Sequence, residues 1–134
     1  NRCWKNFVSK SINSFDKKKI IVCGGDAEFV MHLGGLTTAG RYRDKIDLTY
    51  ILFDNESNKS TGGQKTYQQH IDYGQIACYS GIKSSIDLVE DTLAFKESLN
   101  QDINQDGIRI IVVKCSYDDE TPRPPIKVVK RSEV

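Results

Sequence analysis

Three short apolar runs constrain this chain most. Residues 19–23 (KIIVC), 47–53 (DLTYILF) and 108–115 (IRIIVVKC) are rich in β-branched side chains and show little polar alternation. Runs of this kind are strands covered on both faces, the habit of parallel sheets. The first ends at Gly24-Gly25 and the second at Asp54-Asn55, all of them turn formers. Between the strands the period lengthens. Phe29, Leu33, Leu36 and Gly40 recur at helical spacing from residue 28 to about 42, and Gly34-Gly35 within that stretch predicts close approach of another backbone.

Further helices are predicted over about 72–79 and 87–100, the latter with Leu88, Leu93 and Phe95 among charged residues. Residues 82–86 between them read as a short strand or a turn. Near the start, Trp4, Phe7, Val8 and Ile12 suit one face of a helix over residues 1–16. All three prolines fall between 118 and 125, so residues 118–134 are expected to leave the sheet as an extended tail. Strand and helix alternate, which predicts an α/β fold: a three-layer parallel sheet with helices on both faces. With 134 residues, 38% of them hydrophobic, residues 1–134 are read as a single domain.

Charge narrows the partners. Nineteen Lys and Arg against 18 Asp and Glu leave no field to collect nucleic acid or an anionic membrane, and neither is expected as a partner. No apolar stretch approaches the roughly 18–20 residues of a membrane span. The cysteines at 3, 23, 78 and 115 form no CxxC pair, so reduced thiols and a cytoplasmic location are expected. Cys23 and Cys115 lie in strand-like runs and read as buried small hydrophobes.

In open parallel sheets ligands bind beyond the carboxyl ends of the strands. Two such ends carry chemistry here. After the first strand, Gly24-Gly25-Asp26-Ala27-Glu28 sets a carboxylate at the mouth of a helix, and the amides of Ala27 and Glu28 favour phosphate oxygens. After the second, residues 55–66 (NESNKSTGGQKT) form a polar loop longer than the usual strand-to-helix link of about 2–6 residues. Such loops are either functional or disordered. Mg²⁺ takes oxygen ligands and often shares them with phosphates. Asp26, Asn55 and the Ser57 carbonyl offer three, leaving room for diphosphate oxygens and a water.

These residues resemble a known signature. Thiamine-diphosphate enzymes carry Gly-Asp-Gly, then somewhat under thirty residues, then a pair ending in Asn; here Gly25-Asp26-Ala27 precedes Asp54-Asn55, with 29 positions from 26 to 55. Met31-His32-Leu33-Gly34 and Ser60-Thr61-Gly62-Gly63-Gln64 are similar to the phosphonopyruvate and sulfopyruvate decarboxylase branch. The resemblance spans about residues 19–125. It implies the thiamin-diphosphate-binding fold, with thiamine diphosphate and Mg²⁺ as cofactors. Gly25, Asp26, Ala27, Glu28, Asn55, Ser57 and Ser60 would then hold the cofactor, with Asp26, Asn55 and Ser57 as metal ligands. Lys59, Thr61 and Gln64 would face the reacting centre.

The implied reaction is decarboxylation of a small 2-oxo acid with a second anionic group. Phosphonopyruvate is the first expectation and sulfopyruvate the second. A degenerate, non-catalytic binding module is the competing expectation. Ala27 in place of the second Gly and a carboxylate at Glu28 depart from the family pattern. Residues 1–18 form a divergent segment, unlike the Gly-rich stretch that touches the cofactor in such enzymes. The length suits one of the two domains that such a site needs. A pyrimidine-binding domain, from the same protein or a separate subunit in a homo- or hetero-oligomer, is therefore the expected partner, and the chain alone is expected to be inactive. His32 is expected as a packing residue and His70 as a weaker candidate for substrate contact.

Overall fold

A computed structural model describes residues 19–82, 86–103 and 105–116. The helix expected over residues 1–16 and the proline-containing tail lie outside the described residues. Strand β1 (Ile20–Gly25) runs directly into helix α1 (Asp26–Met31), followed by α2 (Gly34–Arg41) and β2 (Leu48–Asp54). A small antiparallel pair follows, β3 (Ser57–Asn58) and β4 (Gln64–Lys65), joined through a 3-10 turn at Lys59–Thr61. Then come α3 (Tyr73–Tyr79), β5 (Ile86–Val89), α4 (Thr92–Ile103) and β6 (Ile108–Lys114).

Among the described residues the main sheet is four-stranded and parallel, in the order β1-β2-β6-β5. Burial explains the sequence pattern. Strands β2 and β6 have neighbours on both sides and helices over both faces, so their residues are nearly all buried. Leu48, Tyr50, Leu52, Ile108, Ile110 and Val112 meet Phe29 of α1, Leu36 and Ala39 of α2, and Tyr73 and Ala77 of α3 in one core. Alternate side chains point to the other face, where the Phe53 ring lies 6.5 Å from that of Phe95 on α4. The α/β expectation, with helices on both faces, agrees with this arrangement.

Four local expectations are corrected. The single helix over 28–42 is two, because the chain turns at His32 and Leu33 before α2 begins. The helix expected from residue 87 begins at Thr92, after β5; residues 86–89 pair with β6, and tertiary pairing overrides the helical spacing of Leu88. The close backbone approach read at Gly34 is at Gly40 instead. A Cβ on Gly40 would stand 2.0 Å from the Ser80 carbonyl oxygen, whereas Gly34 faces open space. Finally, Cys23 and Cys115 are exposed. Cys23 points away from the core on β1, the outer strand among the described residues, and Cys115 follows the last residue of β6.

Candidate functional site

The register of the sheet builds the site. Gly25 pairs with Phe53, so β1 turns into α1 at the level where β2 reaches Asp54 and Asn55. The two chemically loaded strand ends are thereby brought side by side. They share a cleft of about 520 Å³, lined by Gly25, Asp26, Ala27, Glu28, Asn55, Ser57, Lys59 and Ser60, with Met31 and Phe53 as apolar walls.

Gly24 lies close against the Tyr50 side chain. A Cβ there would stand 2.0 Å from the Tyr50 hydroxyl oxygen, so only glycine lets β1 pass over that ring. Gly25 is extended and caps α1 without a side-chain hydrogen bond. Ala27 lies within the helix and takes no positive φ, so the missing second glycine costs no strain. Glu28 is exposed and lines the cleft, with its Oε2 above Gly24 beside Tyr50. Burial, then the Glu28 carboxylate and Cys23, push the Tyr50 phenol above the ordinary tyrosine value.

Asp26 is fully buried. Its Oδ2 accepts a 2.6 Å hydrogen bond from the Thr66 hydroxyl, while Oδ1 is buried without a partner. A buried carboxylate oxygen left without a donor is costly, and a cation is one group that relieves it. Asn55 Oδ1 accepts from the Ser57 amide at 3.0 Å, which folds the start of the loop back on itself. Glu56 between them takes φ 53°, an uncommon conformation for a residue with a side chain. Its carbonyl accepts from the Thr66 amide at 3.0 Å, and its carboxylate accepts from Gln69 at 2.7 Å. The loop is thus a folded hairpin with its own hydrogen bonds.

Asp54, beside Asn55, is also buried, and its carboxylate pairs with Lys114 and accepts from the Glu56 amide. Among the described residues no group of three or more His, Cys, Asp or Glu gathers that could hold a metal. One carboxylate, one amide oxygen and one main-chain carbonyl are a donor set for a hard cation that completes its shell with phosphate and water. The residues therefore fit the implied metal.

The remaining candidates separate. Lys59 and Ser60 reach the cleft, with the Ser60 hydroxyl donating to Asn58 Oδ1 at 2.8 Å. Thr61 and Gln64 are exposed at the hairpin tip outside the cleft lining, joined by a 2.9 Å hydrogen bond from the Thr61 hydroxyl to Gln64 Oε1. His32 is half-buried and lines the cleft. His70 lines a different hollow of about 690 Å³ with Tyr73, Cys78 and Lys114. Sequence reading missed Thr66, Tyr50 and Lys114 as parts of the site. No local signal marks them, because each is joined to it only through the fold.

Comparison with known proteins decides the family. Residues 10–113 match the model for thiamine pyrophosphate enzymes, C-terminal TPP binding domain. The chain belongs to this family. Sulfopyruvate decarboxylase subunit beta of Methanothermobacter thermautotrophicus is 34% identical over 86 residues, covering 64% of this chain and 45% of that protein. Phosphonopyruvate decarboxylase of Streptomyces viridochromogenes is 32% identical over 82 residues, covering 58% of this chain and 20% of that protein. The chain thus spans less than half the length of either relative. The thiamine diphosphate-dependent 4-hydroxybenzoylformate decarboxylase of Rhodococcus jostii RHA1 superposes with a TM-score of 0.62 at 17% identity, over 84% of this chain and 22% of that one. That likeness places the fold of this thiamine pyrophosphate enzyme domain among thiamine-diphosphate-dependent enzymes. Among the described residues no helix is long and apolar enough to cross a membrane.

Proposed function

We propose that this chain is the diphosphate-binding half of a thiamine-diphosphate-dependent decarboxylase acting on a 2-oxo acid with a second anionic group. The observation that carries the reading is the unpartnered, buried Oδ1 of Asp26 in a cleft shared with Asn55 and Ser57. Asp26, the Asn55 side chain and the Ser57 carbonyl would hold Mg²⁺, and the first turn of α1 would help to hold the diphosphate. Bound thiamine diphosphate would supply a nucleophilic carbon and an electron-accepting ring. The residues of this chain anchor and orient. Met31 and Phe53 keep one wall of the cleft apolar, and Lys59 and Ser60 offer a cation and a hydroxyl to the second anionic group of the substrate.

The proton chemistry at the reacting carbon belongs to a pyrimidine-binding domain, supplied by the same protein or by a separate subunit. The similarity to a decarboxylase subunit named beta supports a divided assembly. That relative also matches more of this chain than does the phosphonopyruvate decarboxylase, which favours a sulfonate beside the phosphonate first expected.

The test is CO₂ release by the full assembly from phosphonopyruvate, sulfopyruvate and pyruvate under identical conditions, beside calorimetry of Mg²⁺ and thiamine diphosphate binding. Preference for a dianionic substrate, and loss of metal-dependent cofactor binding in Asp26→Ala, are expected. Unchanged affinity in Asp26→Ala removes the metal assignment. Preference for pyruvate removes the substrate class.

A further inference from the structure

Two carboxylates, Asp26 and Glu28, stand in the first turn of α1 and line the same cleft. Of the described residues around that cleft, Lys59 alone carries a fixed positive charge. The two carboxylates differ in setting. Asp26 is fully buried with its Oδ1 bare, so a cation answers it directly. Glu28 is exposed, and its charge stays on the cleft wall.

Packing sets where that charge lies. The Tyr50 hydroxyl oxygen and Glu28 Oε2 stand 2.0 and 3.1 Å from the point that a Cβ on Gly24 would occupy. A phenol rising from β2 and a carboxylate leaning back from α1 therefore share the space left by the missing side chain. The contact is felt electrically: after burial, the Glu28 charge is the next cause holding the Tyr50 phenol above its ordinary value. A protonated phenol is neutral and leaves the carboxylate its full charge.

We propose that Glu28 sets the affinity of the cleft for phosphorylated ligands: its carboxylate, seated over Gly24, opposes the incoming anion and penalises ligands in proportion to their negative charge. The inference rests on the reading of this cleft as the diphosphate site. Because the penalty falls on the phosphoryl groups, it is larger for thiamine diphosphate than for thiamine monophosphate. It also weakens as salt shortens the reach of the charge.

The experiment is calorimetric titration of the full assembly, at saturating Mg²⁺, with thiamine diphosphate and separately with thiamine monophosphate. In Glu28→Gln, which keeps the shape and removes the charge, the diphosphate should bind about 3–10-fold tighter, the scale of a like-charge contact in a cleft that solvent reaches. The monophosphate should gain less, and the diphosphate gain should shrink as salt is raised from about 0.05 to about 0.5 M. Glu28→Ala reads the same differences if the glutamine variant does not fold. Unchanged or weaker diphosphate binding overturns the inference. An equal gain for both ligands, or a gain indifferent to salt, assigns the change to packing and overturns it as well. Asp26→Ala separates the inference from its premise. If that variant loses Mg²⁺-dependent cofactor binding while Glu28→Gln leaves the affinity unchanged, the Glu28 inference alone fails; if Asp26→Ala binds the cofactor as the wild type does, both fail.

Discussion

Lys114, the last residue of β6, closes an ion pair with the carboxylate of Asp54, the last residue of β2, directly opposite it in register. The Asp54 side chain is 2% exposed and that of Lys114 is 40% exposed, so lysine reaches in from solvent to meet a carboxylate that cannot reach out. Asp54 also accepts from the Glu56 amide, and its carbonyl accepts from the Cys115 amide. The pair thus anchors the turn that presents Asn55. Lys114→Met would strand a buried carboxylate, and a loss of about 1–3 kcal/mol is expected by urea unfolding. Unchanged stability would show that solvent already satisfies Asp54.

Two glycines should respond differently to alanine. At Gly40 the new methyl group would meet the Ser80 backbone at 2.0 Å, and no rotamer change removes a carbonyl. At Gly24 it would meet the Tyr50 hydroxyl oxygen at the same distance, a side-chain atom that can be deleted. Each single substitution should cost about 1–3 kcal/mol or more as overpacking. Tyr50→Phe should recover part of the Gly24→Ala loss, seen as a coupling in a double-mutant cycle, and nothing of the Gly40→Ala loss. Equal recovery at both sites would contradict the packing described.

Alkaline pH should weaken the fold. Burial, then the nearby carboxylates of Asp54, Asp26 and Glu56, hold the Tyr73 phenol above the ordinary tyrosine value, and Tyr50 is shifted the same way. Above pH about 10 the unfolded chain releases those protons while the native chain keeps them, so stability is present below that pH and falls as pH rises beyond it. Urea midpoints measured between pH 8 and 11 should decline more steeply for the wild type than for Tyr50→Phe/Tyr73→Phe. Parallel declines would assign the effect to other groups.

The hairpin divides the substrate candidates. Lys59 lines the cleft, whereas Thr61 and Gln64 bond to one another at the exposed tip. In the full assembly Lys59→Ala should reduce the preference for dianionic over monoanionic 2-oxo acids by about tenfold or more, the scale of a lost charge-assisted contact. Gln64→Ala should alter that preference less. Competition kinetics with sulfopyruvate and pyruvate distinguish the two. A larger change from Gln64→Ala would assign specificity to the tip.

Local chemistry makes much of this protein legible in its sequence. The β-branched runs of β1, β2 and β6 announce buried parallel strands because both their faces must be apolar, and Asp26 and Asn55 stand out because turn residues at strand ends are exposed to ligand. Other features depend on which strand lies beside which. β5 hides within helical spacing because its strand character comes from pairing with β6. Cys23 is exposed because its pairing register with β2 turns it to the face of β1 opposite Ile20 and Val22, which pack on the core. Thr66 meets Asp26, Tyr50 passes beneath Gly24 and Lys114 reaches Asp54 across separations of 40, 26 and 60 positions. Sequence determined the chemistry available at each strand end, since that depends on neighbours along the chain; the tertiary structure decided which oxygen is left bare, since hydrogen bonds between distant segments exist only once the sheet has set their register.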